Sequence, residues 1–575
     1  MLPKYSKREP MNSVVGSSLL VVTWIASLLV VGLACQYLGS LHEYGGHTRA
    51  QIALAIGFCC IVATWIVAEV CHYLGPAAFS AHLNGFQVVA TEEPDPVLFG
   101  AAAKTSDVEA SAESNDEKKL GEDHVEVGAV EKAYSMIVRG LSSSAVQLRA
   151  GAEFIGILAF IYLCDRTPVF SKGKKVYDPL QFWACWGGIC VVALFTLRKL
   201  EGTKPLQREQ TDEWKGWMQL MFLMYHYFAE KEVYNAIRVY IAAYVFMTGF
   251  GNFSLYLKGK SFTVRRTLQM LFRLNFLGFF ICVALNNEYM LYYICAMHTL
   301  FTIFVILPLY FMQGLNTSTK ALYGKIALTF LCTLALYDGP SVVFNAIFGT
   351  LPIIRHLFAF HDPLHPEFTD EMHEWHFRSG LDRFIWIIGM AFALNVPKVT
   401  DLLEWIQAKS TPQRHAWHAG VGAVTIFIGG VWAYTFFLLD KLSYNRVHPY
   451  SSFIPIAAFL MLRNLLPAFR QRYLFLFAYL GRYTLETYIL QFHVWMKTTG
   501  LNGSPKHLLV WIPDYYFLNL AVVSAVYMFL SVRICNVTIV IRDALIPEQL
   551  SSIAMSWSCV VGSSVLCFGA SYIFK

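Results

Sequence analysis

The sequence predicts an all-α fold, a polytopic integral membrane helical bundle. Two features of composition and one of pattern lead there. Of the 575 residues, 56% are hydrophobic and only 15% charged, where an average soluble domain is about 45–50% apolar and about 25% charged. The mean hydropathy is +0.46, and 44 Phe, 30 Tyr and 14 Trp suit lipid-facing helices and interfacial aromatic belts. The apolar residues also gather into runs near the roughly 20 residues that cross a bilayer. This balance argues against a cytosolic enzyme. A net charge of +6 is scattered, with no basic run to track a nucleic-acid backbone, so no nucleic-acid partner is expected. The 13 Cys lie mostly in apolar stretches without C-x-x-C or zinc-ligand spacing, and read as small core side chains.

About 15 segments reach or approach spanning length. They begin near Val14, Ile52, Gly151, Leu180, Trp214, Asn235, Leu268, Tyr289, Ile326, Phe384, Gly420, Phe453, Leu474, Trp511 and Trp557. The first follows Lys4, Lys7 and Arg8 and reads as a retained signal-anchor with a cytosolic N-terminus. Gly339-Pro340 interrupts the stretch from Ala321 to Phe360, giving one span or two half-spans. The Ala/Ser/Glu/Asp/Lys-rich stretch after Glu92 cannot bury enough surface to fold. It reads as a solvated linker, or else a regulatory loop. The organisation expected is N-terminal membrane helices over 1–85, an acidic disordered loop over 86–145, a helix pair over 146–205, a multi-pass core over 206–545 and a C-terminal apolar segment over 546–575.

Ionisable side chains at bilayer depth are costly and mark polar cavities. Lys215, Gln219 and His226 stand at offsets 0, +4 and +11, one face of a regular helix. Arg482, Glu486 and His493 repeat those offsets. Satisfied core histidines are the plainer reading of either stripe alone; two matching stripes favour function. Asn235 and Arg238 open a span that Thr248-Gly249-Phe250-Gly251-Asn252-Phe253 is expected to close, and Lys258, Lys260, Arg265, Arg266 and Arg273 lead into the next. Such a cationic groove suits a phosphate-bearing donor, such as a coenzyme A thioester. Positive-inside anchoring explains Lys258 and Lys260 equally well, but not the embedded Arg273. A last cluster runs through His361, Asp362, His365 and Glu367 to His373, Glu374, His376, Arg378, Asp382 and Arg383. It reads as a substrate or catalytic loop ahead of a polar membrane-entry loop. No metal is expected, since His373 and His376, the pair with a Glu after the first, are three residues apart, not the four of a zincin. There is no P-loop, Rossmann fingerprint or G-x-S-x-G elbow, so chemistry falls to the helices and their loops.

Several of these stretches carry a resemblance. Trp214-Lys215-Gly216-Trp217-Met218-Gln219, Tyr225-His226-Tyr227, Thr248 to Phe253, His373 to Arg383 and Thr484-Leu485-Glu486-Thr487-Tyr488 resemble the multi-pass acyltransferase domain shared by fungal capsule and animal sialate O-acetyltransferases. Within that group the chain looks most like the plant reduced-wall-acetylation family of Golgi membrane proteins. The likeness covers about Glu213 to Ala544, more weakly Ile52 through Cys164-Asp165-Arg166-Thr167. A wider similarity, to bacterial acyltransferase-3 proteins, rests on Lys215 to His226, with Lys where those have Arg, and implies an acyltransferase-3-like core over 206–545.

The resemblance implies O-acetylation of cell-wall polysaccharides (xylan, xyloglucan, mannan, pectin), with acetyl-CoA as donor and no permanently bound cofactor. It also implies a luminal trichome-birefringence-like acetyltransferase as partner, because these 575 residues hold no Gly-Asp-Ser esterase-like domain. Membrane lipid is the other expected partner. On this reading Lys215, Arg238, Arg265, Arg266, Arg273 and Arg482 bind the donor. His226 is general base or acetyl acceptor, and His493, oriented by Glu486, completes a relay. The rivals are an acetyl-CoA transporter and a scaffold for luminal transferases.

Overall fold

The computed structural model describes residues 13–43, 45–74, 140–200, 205–258, 263–361, 366–367 and 369–573. The acidic loop expected over 86–145 lies outside them up to residue 139, as do Lys260, Asp362 and His365. Among the described residues, nine helices are long and apolar enough to cross a membrane. The chain divides into two units, Met1–Cys35 with Gly57–Ala152, and Gln36–Ile56 with Glu153–Lys575.

Helices α1 (Ser13–Ser40), α2 (Arg49–Leu74) and α3 (Ala145–Arg166) come first. Within the first unit, Arg149 makes a two-pronged ion pair with Glu69, at 2.7 and 2.8 Å. The second unit holds the long core helices α5 (Arg208–Tyr227), α6 (Tyr234–Leu257), α7 (Val264–Leu285), α8 (Tyr293–Tyr310), α9 (Thr319–Tyr337), α13 (Ile385–Gln407), α14 (Thr411–Trp432), α16 (Phe453–Leu465), α20 (Tyr516–Leu545) and α21 (Leu550–Ala570). Shorter pieces lie between them: α4 (Pro179–Leu194), α10 (Ser341–Phe348), α11 (Pro352–Phe358), α12 (His373–Leu381), α15 (Lys441–Ser451), α17 (Pro467–Arg470), α18 (Phe475–Leu480) and α19 (Thr484–Leu490).

Local chemistry sets several boundaries. Asp178 caps α4 by accepting from the Leu180 amide, with Pro179 at the first helical position, where its missing N–H costs nothing. Thr263 caps α7 by accepting from the Arg266 amide, and Asn286 ends that helix in the left-handed conformation. Gly339-Pro340 does break the chain: α9 stops at Tyr337, and α10 and α11 follow as short helices.

Two helix contacts depend on missing side chains. A Cβ on Gly249 of α6 would fall on the Trp386 carbonyl of α13, and one on Gly389 of α13 would fall on the Phe246 carbonyl of α6. Gly216 of α5 and Gly481 after α18 meet the Phe477 and Asp212 carbonyls in the same reciprocal way. Small residues let membrane helices approach closely enough for dense packing. They also explain Gly216 of the Trp-Lys-Gly-Trp stretch and Gly249, the first glycine of Thr-Gly-Phe-Gly-Asn; a Cβ on the second, Gly251, would meet nothing within 4 Å.

Two expectations are corrected. The segment from Leu474 is no span but strand β3 (Arg472–Leu474), α18, α19 and a π-helical turn over Gln491–Trp495. Of its polar side chains, Glu486 pairs with Arg273 and His493 with Asp165 and Tyr292, while Arg482 is exposed. Thr248 to Phe253 does not close a span, because α6 runs on to Leu257. The expected all-α membrane bundle is what the structure shows, with only five strands of two to four residues among the described residues. β3 pairs antiparallel with β2 (Leu197–Lys199), and a second sheet has the order β1 (Ser171–Lys174), β5 (His507–Val510), β4 (Met496–Lys497).

Candidate acyl-donor cavity and its flanking histidines

Helices α5, α6, α7, α8, α19 and α20 surround a cavity of about 850 Å³, within the range of about 300–1,000 Å³ for small-molecule and cofactor sites. Its mouth carries Arg208, Lys258, Arg266 and Arg542. Deeper in, the lining passes Lys215, Gln219, Arg273, Tyr244, Thr248 and His298, and ends on Phe222, Ile294 and Tyr488. Asp212 takes the edge off the charge, 3.5 Å from Lys215 and 3.9 Å from Arg208.

Three of the six expected donor-binding cations line this cavity: Lys215, Arg266 and Arg273. Arg238 sits near the other end of the bundle, buried, with Nε donating to Tyr234 at 2.9 Å. Arg265 turns to the Ile546 carbonyl and to Glu548, at 3.4 and 3.7 Å. Arg482 is exposed, in the turn before α19. Sequence reading missed Arg208, Arg542 and His298; the last is a lone histidine inside an apolar span, with only Thr302 one turn on at helical spacing to mark it.

His226 is in the last turn of α5 and does not line the cavity. Phe222, one turn earlier, does, and its ring packs edge-on against His226 with centroids 4.7 Å apart. Tyr225 and Phe492 complete the surround, at 5.1 and 6.3 Å. An aromatic wall therefore separates the cavity floor from His226. Lys175 donates to the His226 carbonyl at 2.8 Å, and burial pushes its proton affinity down to about 7.

Glu486 does not orient His493. The π-helical turn holding His493 breaks the 100° per residue that the spacing argument assumed. Fully buried Glu486 forms an ion pair with Arg273. His493 is held instead by Asp165, 3.0 Å from Nδ1, and Tyr292, 2.5 Å from Nε2. Asp165 also accepts from the Thr498 amide at 2.8 Å and faces Arg166 at 3.2 Å, while Arg166 donates to the Leu285 carbonyl and Asn287. Both imidazole nitrogens thus have protein partners.

The expected loop His373 to Arg383 is largely helical, as α12. Arg378 donates to Glu374 at 2.5 Å and stands 4.4 Å over the Tyr293 ring. Buried Asp382 faces His448 at 3.4 Å. Arg383 binds Asp338 at 2.6 Å and Tyr450 at 2.7 Å. His376 packs edge-on to Phe344 at 4.6 Å and lines a second cavity of about 420 Å³ with Tyr337, Arg383 and Arg446. His373 opens α12. Among the described residues no three His, Cys, Asp or Glu side chains are grouped to hold a metal.

Beside α12, the exposed His361 ring lies 2.9 Å from Glu288, and its amide donates to the same carboxylate at 2.9 Å. Glu288, with Glu371 at 3.6 Å, raises the proton affinity of His361 above the usual imidazole value. The folded-state value is the higher one, so this tether is complete below about pH 6.5 and is lost as pH rises through the raised value. Hydrogen exchange, corrected for intrinsic rate, should show faster opening of residues 359–361 above that point. His361→Gln should remove the pH dependence; a wild-type profile flat with pH would contradict the assignment.

A polytopic helical core enclosing a cation-mouthed cavity defines a multi-pass membrane protein with a site of cofactor size between its helices. The comparisons supply the family. Residues 88–557 match the model of the 10 TM acyl transferase domain found in Cas1p, and the chain belongs to that family of membrane acyltransferase domains. An N-acetylneuraminate (7)9-O-acetyltransferase of Danio rerio is 32% identical over 439 residues, which are 73% of this chain and 53% of that protein. The chain thus spans about half the length of this curated relative. No solved structure matches it.

Proposed function

We propose that this chain is a membrane O-acetyltransferase component that takes acetyl groups from cytosolic acetyl-CoA and passes them to the far side of the membrane. The observation that carries the reading is the cavity: about 850 Å³, basic at its mouth and polar at bilayer depth. Arg208, Lys258, Arg266 and Arg542 suit the phosphates of coenzyme A, and the positive-inside rule supports a mouth on the cytosolic side. Lys215 and Arg273 stand deeper along the same path.

His226 then serves the acceptor side. It lies past the Phe222 wall, with Lys175 donating to its carbonyl, and an imidazole is a side chain that can take the proton of an acceptor hydroxyl. Asp165, His493 and Tyr292 form the buried relay that holds this end in place. The resemblance to the plant reduced-wall-acetylation family supports a Golgi membrane, a cell-wall polysaccharide as final acceptor, and a luminal trichome-birefringence-like transferase as partner. The animal relative's printed activity, on a sialic acid, supports O-acetylation as the reaction class.

Acetyl-CoA binding to the purified protein tests the donor site. Arg266→Ala and Arg542→Ala should each weaken it roughly 10-fold or more at low salt, since a hydrogen bond to a charged group contributes about 1.5–3 kcal/mol. The effect should shrink as salt screens the mouth. Affinity unchanged in both variants would overturn the reading.

A further inference from the structure

We infer that His298, not His226, is the side chain that meets the thioester, and that Gln219 supplies the amide that holds the carbonyl oxygen during transfer. This rests on the cavity being the acetyl-CoA site.

The tautomer of His298 follows from its neighbours. Its Nδ1 lies 2.7 Å from Thr248 Oγ1. The Thr248 hydroxyl has one proton, and it donates that proton to the Tyr244 carbonyl one turn back, at 3.3 Å. With the proton spent, Oγ1 accepts from Nδ1–H, which leaves the lone pair on Nε2. No described residue bonds Nε2, and the ring lines the cavity. An imidazole held through Nδ1 with an open Nε2 is the arrangement of an activated nucleophile or base.

The second observation is independent. Gln219 is 6% exposed, lines the same cavity, and its Nε2 is buried without a hydrogen-bond partner among the described residues. A buried amide left unpaid costs about 1–3 kcal/mol, and a ligand oxygen is what would satisfy it. An amide aimed where negative charge develops on a carbonyl oxygen is the working part of an oxyanion hole. His226 has neither property, because Phe222 forms the cavity wall in front of it.

The step balances as follows. The Nε2 lone pair adds to the thioester carbonyl carbon while Gln219 Nε2–H donates to the oxygen. The C–S bond breaks, coenzyme A leaves as its thiolate, and the acetyl group remains on an imidazolium whose Nδ1 proton stays bonded to Thr248. An acceptor hydroxyl then takes the acetyl group, its proton passes to the thiolate, and His298 returns neutral. Thr248 acts as a positioning residue by fixing the tautomer.

The test is a single-turnover burst. Purified wild type, His298→Gln, Gln219→Leu and His226→Ala receive acetyl-labelled acetyl-CoA, with coenzyme A release, label on mapped peptides and acetyl-CoA binding all measured. The inference expects about one equivalent of coenzyme A per wild-type chain and label on the His298 peptide, accumulating in His226→Ala. His298→Gln should bind acetyl-CoA and give no burst, and Gln219→Leu should slow the burst about 100-fold or more. An undiminished burst in His298→Gln, with acetyl-CoA bound, overturns this inference alone. Failure of the folded wild type to bind acetyl-CoA overturns the donor-site reading as well.

Discussion

Arg273→Ala should cost the protein about 3–5 kcal/mol of stability, the usual penalty for leaving one member of a buried ion pair alone. Glu486 is fully buried and Arg273 is the cation paired with it among the described residues, so removing Arg273 strands a charge inside the bundle. Arg273→Lys should recover part of the loss, because it restores the charge without the forked geometry. The informative variant is Arg273→Ala with Glu486→Gln, which removes both charges. Thermal unfolding in detergent should show the double variant more stable than Arg273→Ala alone, while acetyl-CoA affinity stays low because the cavity has lost a cation. A double variant no better than the single one would mean that Arg273 acts through something other than Glu486.

Asp165→Asn carries the other large effect. The carboxylate accepts from His493 and from the Thr498 amide and hydroxyl, and pairs with Arg166. An amide there has one acceptor atom in place of two and removes the carboxylate that faces the fully buried Arg166 guanidinium at 3.2 Å. The expected loss is again about 3–5 kcal/mol. His493→Gln should cost less, since Arg166 and Asp165 keep each other. If Asp165→Asn melts with the wild type, the network does not hold this end of the bundle.

Much of this architecture was legible because lipid imposes a simple rule on composition. Runs of apolar residues near Ile52, Leu268, Tyr289, Ile326, Phe384 and Trp557 became helices, and the Gly339-Pro340 break fell between helices. Embedded cations also spoke plainly: Lys215, Arg266 and Arg273 converge on the cavity. The reading from spacing failed where helix geometry is local. Arg482, Glu486 and His493 share a stripe only on a regular helix, and the π-helical turn separates them. It failed also where partners come from far along the chain, as Asp165 does for His493, 328 residues away. Cys164-Asp165-Arg166-Thr167 stood out by resemblance, but nothing in its spacing pointed to a histidine near the other terminus. His298 was missed because what marks it is a threonine on another helix.

The most direct measurement uses proteoliposomes holding the purified protein and an acceptor polysaccharide, with acetyl-CoA outside labelled differently on its acetyl and coenzyme A halves. The account predicts acetyl label inside without coenzyme A label, and loss of that transfer in a folded His226→Ala variant. Entry of both labels together would mean that the intact thioester is carried across, and would contradict the account.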